Sequence, residues 1–316
     1  MQPAIVDYGH GISAVDSGFI RPWLAAVYLV VQDGHAAIVD TGSNDSVVPV
    51  LAALEAKGIA RERVDYVLLT HIHLDHAGGA GLLMSHLPAA RLCVHPRGVR
   101  HIANPSRLVQ STIDVYGIEH ARKVYGEILP VAQERIVAIG EGDCIELKGR
   151  RLRFIDTPGH ARHHCCIVDE RSRSLFTGDT FGLAYRELEV DGRRSVFPTT
   201  SPVQFDPGAL QASIERIVAL RPEQVYVTHF GGVGEVERLA ADLHRLIDAH
   251  VALARMHAGA SGQRHALIKQ GLEKMVLDEA RLKSWPLGRD EALELFATDI
   301  ELNAQGLGVW LDGLLA

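Results

Sequence analysis

Residues 68–79 read LLTHIHLDHAGG, placing three histidines and an aspartate within six positions directly after an apolar run. With 17 histidines and 20 aspartates in 316 residues, a motif of the form H-x-H-x-D-H is expected by chance roughly 0.003 times. That rarity weighs against the plainer reading, a polar strand end with exposed histidines. In an extended segment residues i and i+2 face the same way, so His71 and His73 can grip one ion together. Asp75 and His76 fall where AGGAGLLMSHL begins a helical pattern and can turn toward a second ion, while Gly78 and Gly79 leave room for close backbone approach. Two ions ~3.5–4 Å apart can hold a bridging hydroxide and polarise a carbonyl or phosphoryl oxygen.

One stretch cannot fill such a site, and three others offer donors. FIDTPGH delivers His160 after a strand and a Pro-Gly turn, LFTGDT delivers Asp179 after a hairpin, and VYVTHFGG delivers His229 after another strand. All three follow apolar runs and precede turns, as ligands at one sheet edge would.

The elements that must position them are legible as short β-rich runs. AAVYLVVQDGHAAIVDTG reads as a hairpin turning at Asp33-Gly34, SVVPVLAALEAKG as a helix stopped by Gly58, and VDYVLLT as the strand leading into the histidines. Further strands are expected at ARLCVH, RIVAI, DCIEL, RLRFIDT, CCIVD, SLFTGD and EQVYVTH. The stretch 104–133 interrupts this rhythm with a helical pattern, and from about Glu235 only helix-period segments follow.

Composition narrows the class. The chain is 47% hydrophobic with net charge −7, so nothing favours nucleic acid or an anionic membrane surface as partner. The start lacks the pattern of a signal peptide, and the most apolar stretch, WLAAVYLVV, is far below the ~20 residues of a membrane span. Cys93, Cys144, Cys165 and Cys166 do not make a disulfide framework; adjacent Cys165 and Cys166 on a strand would point to opposite faces. A cytoplasmic protein is the expectation.

Through VDTG (39–42), THIHLDHAGG, TPGH, TGDT and VTHFGG, the chain strongly resembles the metallo-β-lactamase superfamily over roughly residues 5–232. The resemblance implies an α/β fold, an αββα sandwich, spanning 1–232 with a helical insertion at about 104–133 and a helical extension over 233–316. It implies His71, His73 and His160 on one metal, Asp75, His76 and His229 on the other, and Asp179 bridging both. Asp40 of VDTG aligns with an aspartate that buttresses the histidine loop in the family. Asp75 would also be the catalytic group that orients the nucleophilic water or accepts its proton. His164 sits where a related block, GHTxGH, has its second histidine; here the block reads GHARHH, a departure that leaves its supporting role open. Zinc is the default for the two divalent ions, with iron or manganese compatible with the same donors.

Within the superfamily, His73 stands where the flavodiiron branch has glutamate, and Asp179 where classical zinc β-lactamases have cysteine. Thioesterases of the glyoxalase II type and lactonases share the whole ligand set. Lactonases carry a tyrosine shortly after the bridging aspartate; GDTFGLAY places Gly182 there and Tyr185 three residues on. Phe181, Tyr185 and Phe197, the last within SVFPTTSPVQFDP, are the candidates for substrate contact. The reading is a metal-dependent hydrolase of a small-molecule ester, thioester or lactone. Two alternatives are a mononuclear iron enzyme resembling persulfide dioxygenases and a metal-containing binding or regulatory protein. The helical tail is expected to cover the entrance or to pair chains as a homodimer.

Overall fold

The computed structural model describes residues 3–200, 204–260 and 262–315. The chain divides into two compact units, one formed by Met1–Asp156, His163–Gly178 and Pro222–Gly232, the other by Thr157–Arg162, Asp179–Arg221 and Val233–Ala316.

In the first unit, β1 (Ile5–Gly9), β2 (Ile12–Asp16), β3 (Ala26–Gln32), β4 (His35–Val39), β5 (Val64–Leu68), β6 (Arg91–Val94) and β7 (Ile136–Ala138) form a seven-stranded sheet in sequence order. The first four run antiparallel and the rest parallel. The β3–β4 hairpin turns at Asp33 and Gly34, whose φ of 49° and 73° both lie in the left-handed region, as a type I′ turn needs. The parallel connections pass through α1 (Val47–Ala56), then α2 (Leu74–Ala77) and α3 (Ala80–His86), then α4 (Val99–Ala103), α5 (Ser106–Tyr116) and α6 (Ile118–Tyr125). The second sheet has the order β13-β12-β11-β10-β9-β8, from β8 (Cys144–Leu147), β9 (Arg150–Asp156), β10 (Cys165–Asp169), β11 (Ser174–Gly178), β12 (Gln224–Val227) and β13 (Gly232–Val233).

The period-2 alternation of strand side chains sorts the core into layers. Ala26, Tyr28 and Val30 of β3 pack toward Phe154, Ile167 and Phe176 of the second sheet. Val27 and Leu29 face the other way, onto Val50 and Leu54 of α1 and Leu83 of α3. Each such fully buried side chain contributes roughly 1.5–3 kcal/mol. The Tyr28 hydroxyl donates to the Val227 carbonyl and so ties the two sheets; burial raises its pKa well above that of an ordinary phenol. Cys165 lies between the sheets, whereas Cys166 turns its thiol to Thr177 on the opposite side.

Strands appear at every segment where they were expected, but β1 and β2 carried no expectation of their own. The helix expected from AGGAGLLMSHL is divided: α2 is a single turn, and α3 begins after Gly78-Gly79. The reason is a close approach of backbone. Gly79 N–H donates to the Gly42 carbonyl at 2.8 Å, and a Cβ on Gly79 would stand 2.6 Å from the Ser43 carbonyl oxygen.

In the second unit, α7 (Pro207–Ala219), α8 (Val236–Met256), α9 (Arg264–Lys283), α10 (Arg289–Leu295) and α11 (Ala297–Leu315) follow one another. Asp206 caps α7 by accepting from Ala209 N–H, with Pro207 in the first turn. Helix α8 buries Leu239, Leu243, Leu246, Ile247 and His250 along one stripe. It is tied to α9 by Arg245–Glu279 and Asp242–Lys283 ion pairs, both 2.7 Å. No helix among the described residues is long and apolar enough to cross a membrane.

Candidate metal centre

Strand β5 ends at Leu68, and the chain runs extended through His71 and His73 before α2 starts. Ile72, between them, is buried in the helix-side core, so the two flanking rings turn the other way. His71 Nε2 lies 2.9 Å from His73 Nδ1. His73 is the N-cap of α2, with extended backbone, and the single turn that follows brings Asp75 and His76 round. His229 follows β12 by two residues.

Within this unit Asp75, His76 and His229 converge, their ligand atoms all within 4.8 Å of one another. Asp75 Oδ2 is 3.4 Å from His76 Nε2 and 3.4 Å from His229 Nε2. Within the second unit His160 Nε2 stands 3.4 Å from Asp179 Oδ2. A charge-assisted hydrogen bond would draw such atoms to about 2.7–2.9 Å. Two donors each about 2.0–2.1 Å from one tetrahedral zinc stand about 3.3–3.4 Å apart. The donor pairs of both units therefore fit a divalent ion better than they fit direct ion pairs. Burial would push the Asp75 carboxyl up, but the charges of His76 and His229 outweigh it and hold it well below the usual carboxylate range.

Each histidine of these pairs is held by its other nitrogen, which aims Nε2; for His76 and His229 the partner is an obligate acceptor and also sets the tautomer. His76 Nδ1 donates to Asp40 Oδ2 at 3.0 Å, and His229 Nδ1 to the Leu24 carbonyl at 3.1 Å. His160 Nδ1 lies 2.7 Å from the Thr199 hydroxyl. Asp40, 1% exposed, also accepts from Thr70 N–H at 2.8 Å, from the Thr70 hydroxyl and from the Thr228 hydroxyl at 3.1 Å. It thereby joins the ends of β4, β5 and β12.

His164 is buried against His71, with ring centroids 4.9 Å apart. His163, which the sequence placed among ordinary surface or core histidines, stacks on His71 at 6.2 Å and meets His73 edge-on at 5.6 Å. Burial, and then His73, His95 and His101, push its pKa down to about 3. Phe181, Tyr185 and Phe197 are 0%, 3% and 1% exposed. Tyr185 donates to Asp299 at 3.0 Å, and Phe197 packs on His250 and Phe296. All three rings are buried within the second unit. Of the residues missed from sequence, Thr70 and Thr228 lie inside the blocks THIHLDHAGG and VTHFGG without a role having been assigned to them, while Thr199 and Leu24 act through a hydroxyl and a backbone carbonyl.

Gly178, just before Asp179, has φ +47°, and a Cβ there would stand 2.5 Å from His164 Nε2 and 2.8 Å from the Thr70 hydroxyl. Gly178→Ala is expected to cost about 2–3 kcal/mol through left-handed strain and displacement of those two side chains. The fall would be read as a lower melting temperature of the metal-free protein, and an unchanged one would show that the site yields freely.

A sandwich of two mixed sheets with histidines and aspartates at strand ends defines a class, and the sequence confirms it: residues 20–229 match the metallo-β-lactamase superfamily. The chain belongs to that superfamily, and the expected αββα sandwich with a C-terminal helical region holds. It is 28% identical over 231 residues to the metallo-beta-lactamase fold-containing protein ST1585 of Sulfurisphaera tokodaii, covering 70% of this chain and 78% of that protein. It is also 28% identical over 239 residues to a hydroxyacylglutathione hydrolase of Xanthomonas campestris pv. campestris, covering 75% and 71%. Among solved structures, the archaeal superfamily protein ST1585 from Sulfolobus tokodaii superposes with a TM-score of 0.65 at 24% identity, covering 95% of this chain and 99% of that one.

Proposed function

We propose that this chain is a binuclear metallo-hydrolase cleaving an ester, thioester or lactone of a small molecule. Its donors are His71, His73, Asp75, His76, His160, Asp179 and His229, holding two divalent ions with zinc as the default. The observation that carries this reading is the 3.4 Å facing of carboxylate and imidazole donors within each unit, each imidazole anchored by its far nitrogen. When bound, such ions supply Lewis acidity toward a carbonyl oxygen and lower the pKa of water to about 7.

The chain's own residues do the rest. Asp75, a carboxylate at neutral pH, orients the attacking water and accepts its proton. Asp40, Leu24 and Thr199 keep three rings from turning away, so the donor set is in place before substrate arrives. The hydroxyacylglutathione hydrolase named among the relatives supports a thioester as the first substrate class to try.

Elemental analysis of the purified protein, paired with a panel of thioesters, esters and lactones, tests the proposal. Close to two ions per chain and turnover of at least one class, abolished by chelator and restored by metal, are expected. Metal-replete protein inert across the panel would overturn it, as would one iron per chain with thiol-dependent oxygen uptake.

A further inference from the structure

Within Ser195–Thr200 only Phe197 makes a strand-like bridge, to Leu183, yet every residue of the segment is buried. Loops normally run on the surface because buried backbone groups need partners, so something must supply them here. The C-terminal helices do. Asn303 of α11, 2% exposed, accepts from Thr200 N–H at 2.7 Å through Oδ1 and donates from Nδ2 to the Pro198 carbonyl at 3.2 Å. The Thr200 hydroxyl donates to the Asn303 side chain and main chain, both at 3.1 Å. At the other end Trp285 Nε1 donates to the Ser195 hydroxyl at 2.9 Å, and Phe197 bridges backbone to Leu183. One turn before Asn303 on the same helix face, Asp299 accepts from Tyr185.

Between the two residues that Asn303 grips stands Thr199, whose hydroxyl meets His160 Nδ1 at 2.7 Å while His160 Nε2 faces Asp179. The structure assigns Thr199 and Asn303 as positioning residues for the metal ligand His160, an inference that rests on the metal-centre reading above. With Nε2 reserved for an ion, Nδ1 carries the proton and donates to the Thr199 oxygen. Asn303 fixes where that oxygen sits. The C-terminal helix is thereby part of the metal centre's support, acting at one remove through a single buried loop. Outer hydrogen-bond partners of metal-binding histidines carry about 10–100-fold in metal affinity, and that range is expected here.

The test uses the full-length protein and two readouts. In zinc-loaded protein, ring 15N NMR, with the His160 signals assigned by comparison with His160→Gln, should show a slowly exchanging His160 Nδ1–H. Thr199→Val should speed that exchange, and Thr199→Ser should keep it slow. Zinc competition against a chromophoric chelator should show affinity about 10–100-fold weaker in Thr199→Val and in Asn303→Ala, with Thr199→Ser within a few-fold of the parent. Because Asn303 acts only through Thr199, the double variant should bind zinc no more weakly than Thr199→Val alone. Additive losses, or a Thr199→Val protein with the parental Nδ1–H exchange and affinity, would overturn the assignment. A parent that binds zinc and protects the His160 Nδ1–H, yet turns over no substrate, would sink the hydrolase reading and leave this one standing.

Discussion

Asp75→Asn is expected to lower kcat/KM on the best substrate about 10³-fold, within the range by which a positioned general base accelerates proton transfer. That factor is about 4 kcal/mol of transition-state stabilisation. Asparagine keeps the size of the side chain and one oxygen that can still face His76 and His229, so gross misfolding is not the expected cause. What it removes is the negative charge and the capacity to take a proton. Beside His76 and His229 the Asp75 carboxyl is held ionised at neutral pH despite its burial, so the native group has a site open to a proton. Metal content and the denaturant midpoint would be measured alongside turnover. A variant with the parental metal content and undiminished turnover would remove Asp75 from the mechanism.

Much of this centre is legible in the amino-acid order alone, because its information is stored as residue type at fixed spacing. His71 and His73 are two apart on extended chain, and Asp75 with His76 is one helical turn; neither needs tertiary knowledge. His160, Asp179 and His229 stand out because each ends an apolar run. The strands are legible where alternation is strong, as in β3, where Tyr28 and Leu29 go to opposite layers. Strands β1 and β2 are not, since each is only five residues long and a polar residue interrupts each run, Asp7 in IVDYG and Ser13 in ISAVD. The supporting contacts are illegible for a different reason. Thr199 and the Leu24 carbonyl are ordinary in sequence, and Thr70 is visible only as part of a motif; the roles of all three arise from what lies 2.7–3.1 Å away. Phe181, Tyr185 and Phe197 illustrate the converse: an aromatic residue near a ligand motif reads the same whether it faces a pocket or, as here, the interior.

Asp40 should separate stability from ligand orientation more cleanly than any other residue. Asp40→Ala leaves Thr70 N–H, the Thr70 and Thr228 hydroxyls and His76 Nδ1 without their shared acceptor in a fully buried place. The hydroxyls can turn elsewhere; the amide cannot, and the imidazole gives up its buried acceptor, at a cost of about 1–3 kcal/mol each. Alanine must also hold φ at +59°, a further ~1 kcal/mol or more. The sum, about 3–7 kcal/mol, is a large part of the roughly 5–15 kcal/mol that keeps a domain folded, so a steep fall in the denaturant midpoint is expected. Asp40→Asn behaves differently. Asparagine tolerates the left-handed backbone, and its remaining oxygen can still accept from Thr70. Its amide N–H₂, however, cannot accept from His76 Nδ1, and His76 then turns or moves its proton to Nε2, where an ion should bind. Stability should fall modestly while zinc affinity drops about 10–100-fold, read by chelator competition on the folded variant. If Asp40→Asn instead binds zinc like the parent, the aspartate serves the fold alone and His76 is oriented by its packing.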